Sequence, residues 1–199
     1  MSSRAPWHWL FAIAEGNSMK ASFGFGENVI WSTVHRRLQE LSARNAERQG
    51  FTAPTRWITR CDVKVDRVAC PWLIRRFIDP KAQFFFVPED RLLETAGRLR
   101  ATPFDAQRLP EVKLNHRAER CTFEAILEDY GIVEASLQRL ALIVRGADVK
   151  GQEHIAAESQ GLRAIAHGFA MSGINDEERL EREFPIYDAL YQYLCRQER

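Results

Sequence analysis

The sequence lacks most of the signatures that announce a reaction. Its four cysteines, Cys61, Cys70, Cys121 and Cys195, are scattered, so there is no C-x-x-C pair and no cysteine–histidine ladder of zinc-finger spacing. A chain of 199 residues has no need of disulfide staples. The thiols are therefore expected to be reduced, which points to the cytoplasm. There is no nucleophile elbow, P-loop, H-E-x-x-H or EF-hand loop, so serine-hydrolase and nucleotide-triphosphate chemistry find no support. Gly24-Phe25-Gly26 lacks the third glycine and the preceding strand of a dinucleotide fingerprint. No apolar run approaches the roughly 18 residues of a membrane span. The short stretch Trp7 to Ala14, with only Arg4 ahead of it and no small-residue cleavage site, does not make an export signal. Net charge is nearly absent too: +1 at pH 7 and a pI near 7.7 give no bulk attraction to nucleic acid or anionic membrane.

What is present is ordinary globular material, 45% hydrophobic and 28% charged. Residues 1–54 read as an N-terminal arm. After loop-like Gly16-Asn17-Ser18 and Gly24-Phe25-Gly26, an amphipathic helix begins near Asn28. Val29, Ile30, Val34, Leu38 and Leu41 form its apolar stripe, and Arg36, Arg37, Arg44 and Arg48 lie outside. Gly50 and Pro54 stop it. Such a basic helix can touch DNA, but a solvated face packed on the main domain or on another subunit is the favoured reading. A homodimer is compatible with it.

Residues 55–199 form the main domain. Trp57 to Thr59 and Ala82 to Val87 are rich in strand formers. Between them Val65, Val68, Ala69, Trp72, Leu73 and Phe77 recur at helical steps. Glu89 to Ala96 predicts a short helix ended by Gly97, and residues 98–110, with Pro103 and Pro110, read as loop; Glu111 to Leu114 is a candidate strand. Thr122 is placed to cap a helix through Phe123, Ile126, Leu127 and Tyr130, which Gly131 ends. Further helical faces run through Leu137, Leu140, Ala141 and Val144, closed by Gly146, and through Ala156 to Met171. Asn175 or Asp176 caps the last helical region, which Pro185 is expected to break in two. The fold class is α+β and helix-rich: a small sheet in residues 56–115 packed by helices, with an all-helical C-terminal half.

Two polar clusters interrupt this apolar pattern. The first holds Asp62, Lys64, Asp66 and Arg67; the second is Asn115 to Glu124, N-H-R-A-E-R-C-T-F-E. With Asp148 they offer one imidazole and several carboxylates, a donor set suited to Mn²⁺ or Fe²⁺, with Zn²⁺ as a third fit. The candidate metal ligands are His116, Glu124, Asp66 and Asp148. Glu124 qualifies because it lies in a first helical turn at the edge of a buried face. Each also has a structural reading: a strand-end histidine bonded to backbone, a helix-capping Asp66, a loop Asp148 bonding its own backbone. Arg67 and Arg117 are the candidate catalytic residues, steering a small oxyanion or other anionic molecule. Pairing of the arginines with neighbouring acids is the structural alternative. Cys70 and Cys121 fit as small buried fillers.

The stretches V-K-V-D-R-V-A-C-P-W-L-I-R-R-F-I-D-P-K-A-x-F-x-F-V-P, H-R-x-E-x-C-T-F-E-x-x-L-x-x-Y-G-I, I-V-R-G-A-D and F-P-I-Y-D-A-L-Y resemble the chromate-resistance protein family, in the C-terminal domain of its ChrB-type regulators. The resemblance covers about residues 55–196 and includes Asp66, Arg67, His116, Glu124 and Asp148. It implies association with chromate resistance rather than a particular reaction. Longer members carry a larger N-terminal regulatory region, for which 54 residues are short. Three functions follow: a metal-dependent enzyme, most simply an oxidoreductase, on a small anionic substrate; an oxyanion-sensing transcriptional regulator; or an accessory binding protein without catalysis. The first is favoured, because unpaired charge at apolar helix edges is costly.

Overall fold

A computed structural model of the chain describes Glu40 and residues 55–197. The predicted N-terminal arm and its helix over 28–48 lie, apart from Glu40, outside the described residues. The chain runs β1 (Arg56–Arg60), α1 (Asp66–Leu73) extended by a π-turn over Ile74–Ile78, then β2 (Gln83–Val87). A 3₁₀ turn at Glu89–Arg91 leads into α2 (Leu92–Leu99) and β3 (Thr102–Pro103). Four helices follow: α3 (Thr122–Asp129), α4 (Ala135–Asp148), α5 (Ser159–Ala170) and α6 (Asp176–Gln197). The helix-rich α+β class expected from the sequence is the class observed.

The sheet is small and parallel, in the order β2-β1-β3, with Ile58 opposite Phe85 on one side and Pro103 on the other. A parallel pair needs a crossover, and α1 provides it between β1 and β2. The candidate strand Glu111–Leu114 amounts to one bridge, Phe104 to Leu114. Because β1 is central, the chain leaves it toward β2 and later returns to its other edge as β3. Crevices outside the carboxyl ends of such strands, where the chain changes sides, are natural ligand sites.

The core lies between sheet and helices. Trp72 is wholly buried and meets Phe77, Phe123, Tyr187 and Tyr191 at ring-centroid distances of 5.6–6.4 Å. Each such side chain contributes roughly 1.5–3 kcal/mol by burial, enough to dictate how α1, α3 and α6 pack. The Trp72 indole N–H donates to Asp188 at 2.7 Å, and the same carboxylate holds the Arg76 guanidinium at 2.8–2.9 Å.

Four local expectations are corrected. Pro185 does not break α6, which runs through it. Pro185 and Glu181, whose carbonyl loses its amide partner, are both exposed, while Phe184, Tyr187, Tyr191 and Leu194 hold the helix to the core. Gly97 lies inside α2, and the stop falls at left-handed Arg100 (φ 51°). Gly146 lies inside α4, which continues to Asp148. Thr122 is the first helical residue of α3 rather than its cap; Cys121 stands at the cap position, and the Thr122 hydroxyl donates to Asp105 at 3.1 Å. Asn175 caps α6 as expected, accepting the Glu178 amide at 2.8 Å.

Candidate metal centre

Asp66 is delivered by the loop between β1 and α1. It is fully buried in the first turn of α1, and its oxygens accept the Thr122 and Phe123 amides at 2.7 and 3.0 Å. It therefore caps a different helix, α3, whose N-terminal amides and dipole fix it as a carboxylate acceptor. The Cys70 thiol, one turn along α1, donates to its Oδ1 at 3.3 Å. Cys70 and Cys121 are buried thiols whose pKa values are pushed well up, first by desolvation and then by the Asp66 charge. Neither has the thiolate character that redox work requires.

His116 comes from the long connection between β3 and α3. Asn115 pins that connection: its side chain accepts the Ala106 amide at 2.6 Å and donates to the Ala106 and Val112 carbonyls at 3.1 and 3.0 Å. Next to it the Asp105 amide reaches the Leu114 carbonyl at 2.9 Å. These bonds bring Asp105 and His116 to one place. Asp148, the last residue of α4, completes the group.

Around His116 Nε2 stand Asp66 Oδ2 at 3.4 Å, Asp148 Oδ2 at 3.4 Å and Asp105 Oδ1 at 3.6 Å. One donor atom each from Asp66, His116 and Asp148 lies within 4.8 Å of the others. Nε2 is buried and has no hydrogen-bond partner among the described residues. A charge-assisted N–H···O bond to an imidazolium would close to about 2.7–2.9 Å. Donors sharing a cation at about 2.1 Å stand about 3.0 Å apart on adjacent octahedral positions and about 3.4 Å apart on tetrahedral ones. The 3.4 Å contacts to Asp66 and Asp148 are longer than a single direct N–H···O bond and are compatible with shared coordination or with one N–H shared among several carboxylates.

Without a cation the group is electrostatically burdened. Burial disfavours the charged imidazole, yet the Asp148 and Asp66 carboxylates outweigh it and hold His116 up to about 10. Desolvation first, then Asp66 and Asp148, push the Asp105 carboxyl up to about 6, against the pull of Arg67 and His116. Arg67 faces Asp105 Oδ2 at 3.3 Å and donates to the Cys61 and Arg60 carbonyls at 2.7 and 3.3 Å. Arg60 donates to the Asp105 carbonyl at 3.0 Å. The His116, Asp148, Arg67 and Arg60 side chains are 16, 25, 16 and 27% exposed, so one side of the cluster opens to solvent beside two guanidinium groups.

Of the sequence-derived candidates, Asp66, His116, Asp148 and Arg67 come together. Glu124 is not among the converging donors. One of its oxygens accepts the Cys121 amide at 2.9 Å in a capping box, and the other faces Arg145 at 3.4 Å. Arg117 turns toward the C-terminal end of α3, 3.1 Å from Glu128 and 2.7 Å from Asp129. Asp105 is the member that sequence reasoning missed. It sits in a proline-containing loop with no hydrophobic period to mark it, and its φ of 46° is a conformation that Asp tolerates better than most residues.

Comparison with known proteins gives a consistent picture. The family model described as "ChrB, C-terminal domain" matches residues 57–194. "Protein ChrB" of Cupriavidus metallidurans is 35% identical over 136 residues, which is 68% of this chain and 39% of that protein. The chain thus matches about two fifths of that curated relative's length. No solved structure matches. Among the described residues no helix is long and apolar enough to cross a membrane.

Proposed function

We propose a function from one premise: the chain belongs to the chromate-resistance family, through the ChrB C-terminal domain over residues 57–194. Within that family we read it as a divalent-metal enzyme of oxidoreductase type acting on a small anion. The observation that carries the reading is the buried Nε2 of His116, which faces the Asp66 and Asp148 carboxylates at 3.4 Å each without a well-directed hydrogen bond to either. Asp66, His116 and Asp148 would hold the ion. One imidazole with two carboxylates favours Mn²⁺ or Fe²⁺, and three protein donors leave coordination positions for solvent or substrate. Bound there, such an ion supplies redox or Lewis-acid chemistry. The chain's own residues orient and select. The α3 amides fix Asp66, and Asp105 anchors Arg67. Arg67 and Arg60 flank the cluster, both paired with Asp105 and Arg60 also 3.7 Å from Glu89, and would steer an anionic substrate toward it.

The regulator reading combines arginines that bind an oxyanion with a basic helix over residues 28–48 that contacts DNA; apart from Glu40 that helix lies outside the described residues. Elemental analysis of the purified protein tests the enzyme reading at its root. We expect close to one Mn or Fe per chain in the wild type, and loss of that metal in His116→Ala. A wild type that carries neither metal and takes up neither from solution would overturn it, as would a His116→Ala variant that retains the ion.

A further inference from the structure

The segment that presents Asp66 is held in a conformation its own sequence does not favour. Between β1 and α1, Asp62 has φ 57°, and Val65 has φ 30° with ψ −92°. Val65 is buried and β-branched, a residue for which positive φ is a strained outlier. No glycine occurs from Cys61 to Val65 to relieve it. Such a conformation persists only where surrounding structure imposes it.

The imposing structure is α6, more than a hundred residues further along the chain. Both carboxylate oxygens of Asp176 accept backbone amides of this loop, from Asp62 at 2.9 Å and from Val63 at 3.0 Å. Arg179 donates to the Val63 carbonyl at 2.6 Å and lies 3.6 Å from Asp176. Tyr187 donates its hydroxyl to the Val65 carbonyl at 3.0 Å. Arg179 is 4% exposed and Tyr187 fully buried, so their two bonds to the Val63 and Val65 carbonyls are made out of water, where they hold geometry best, whereas the Asp176 bonds lie nearer the surface. The residue that follows the last gripped carbonyl is Asp66.

We propose that Asp176, Arg179 and Tyr187 are positioning residues for the metal centre: α6 clamps the strained β1–α1 loop and so sets where the Asp66 carboxylate stands. This inference rests on the metal reading above. Outer groups that orient a ligand are typically worth about 10–100-fold in metal affinity, and an effect of that size is expected when the clamp is cut.

The test is Mn²⁺ binding to the full-length, metal-stripped protein, at a temperature where circular dichroism shows each variant folded. The variants are Asp176→Ala, Tyr187→Phe and Asn175→Ala. Asn175→Ala weakens the cap of the same helix without touching the loop, so it controls for general loosening of α6. We expect Asp176→Ala to weaken Mn²⁺ binding about 10–100-fold and to alter the electron paramagnetic resonance spectrum of the bound ion. Tyr187→Phe should move both in the same direction by less, and Asn175→Ala should lower the melting temperature while leaving both unchanged. If Asp176→Ala binds Mn²⁺ like the wild type, or if Asn175→Ala weakens binding as much, the clamp is overturned while the metal centre stands. Failure of the wild type itself to bind Mn²⁺ would instead remove the reading on which the clamp rests.

Discussion

At the scale of single residues, the cluster makes an unusual statement about pH. The His116 pKa is raised from 6.5 to about 10 in the folded, metal-free protein. Its stabilisation is therefore fully present below about 6.5 and is lost as pH rises toward 10. The Asp105 pKa is raised from 3.8 to about 6. Folding disfavours its charged form, so stability also falls as pH rises between those values. Both groups push the same way. In metal-free protein the stability difference between wild type and His116→Ala should be largest below pH 6.5 and vanish toward pH 10, as read by urea unfolding across that range. Saturating Mn²⁺ should reverse the trend, because the ion binds neutral imidazole and competes with its proton. A difference that stays flat with pH, with and without Mn²⁺, would show that His116 is not coupled to these carboxylates.

At the scale of elements, Gly146 explains how Asp148 reaches the site. A Cβ at this position would stand 2.4 Å from Ser159 Oγ, 2.9 Å from Ser159 Cβ and 3.0 Å from the Gln152 carbonyl. The glycine lets α5 begin against α4, where the Ser159 hydroxyl donates to the Ile143 carbonyl at 3.0 Å and Arg163 donates to the Ala147 carbonyl at 2.7 Å. Gly146→Ala should cost about 1–3 kcal/mol in urea unfolding, as overpacking does, and should weaken Mn²⁺ binding through Asp148. Adding Ser159→Gly should recover part of the stability. A single variant as stable as the wild type would show that the two helices have slack there.

The same glycine marks the limit of what local pattern reveals. A glycine that stops a helix and a glycine that lets another helix approach look alike in sequence, so Gly146 and Gly97 both read as stops and are both interior. Pro185 reads as a break and is tolerated, because the group it orphans faces water. Thr122 reads as a cap, yet the α3 amides are capped by Asp66, 56 residues earlier in the chain. The helical faces themselves were legible, because burial enforces their period wherever a helix lies on a core.

At the scale of the whole molecule, the candidate centre gathers one residue from the start of α1, one from the long loop before α3 and one from the end of α4. Asp105 joins from the loop just past the short β3. Asp66, His116, Asp148 and Arg67, which the structure brings near one another, were singled out in the sequence because acids and an imidazole set against apolar helix edges stand out from their surroundings. Sequence reading could not separate Glu124, committed to its own helix end, from the residues that converge, since convergence is a property of the assembled sheet and helices. Asp105 left no trace for the same reason.

Anomalous diffraction from crystals of the protein grown with Mn²⁺ would locate the ion itself. Such crystals should show a peak at bonding distance from His116 Nε2 and from one oxygen each of Asp66 and Asp148. A structure with no peak there, in which an imidazolium His116 donates its Nε2–H directly to one of the carboxylates, would contradict the metal reading.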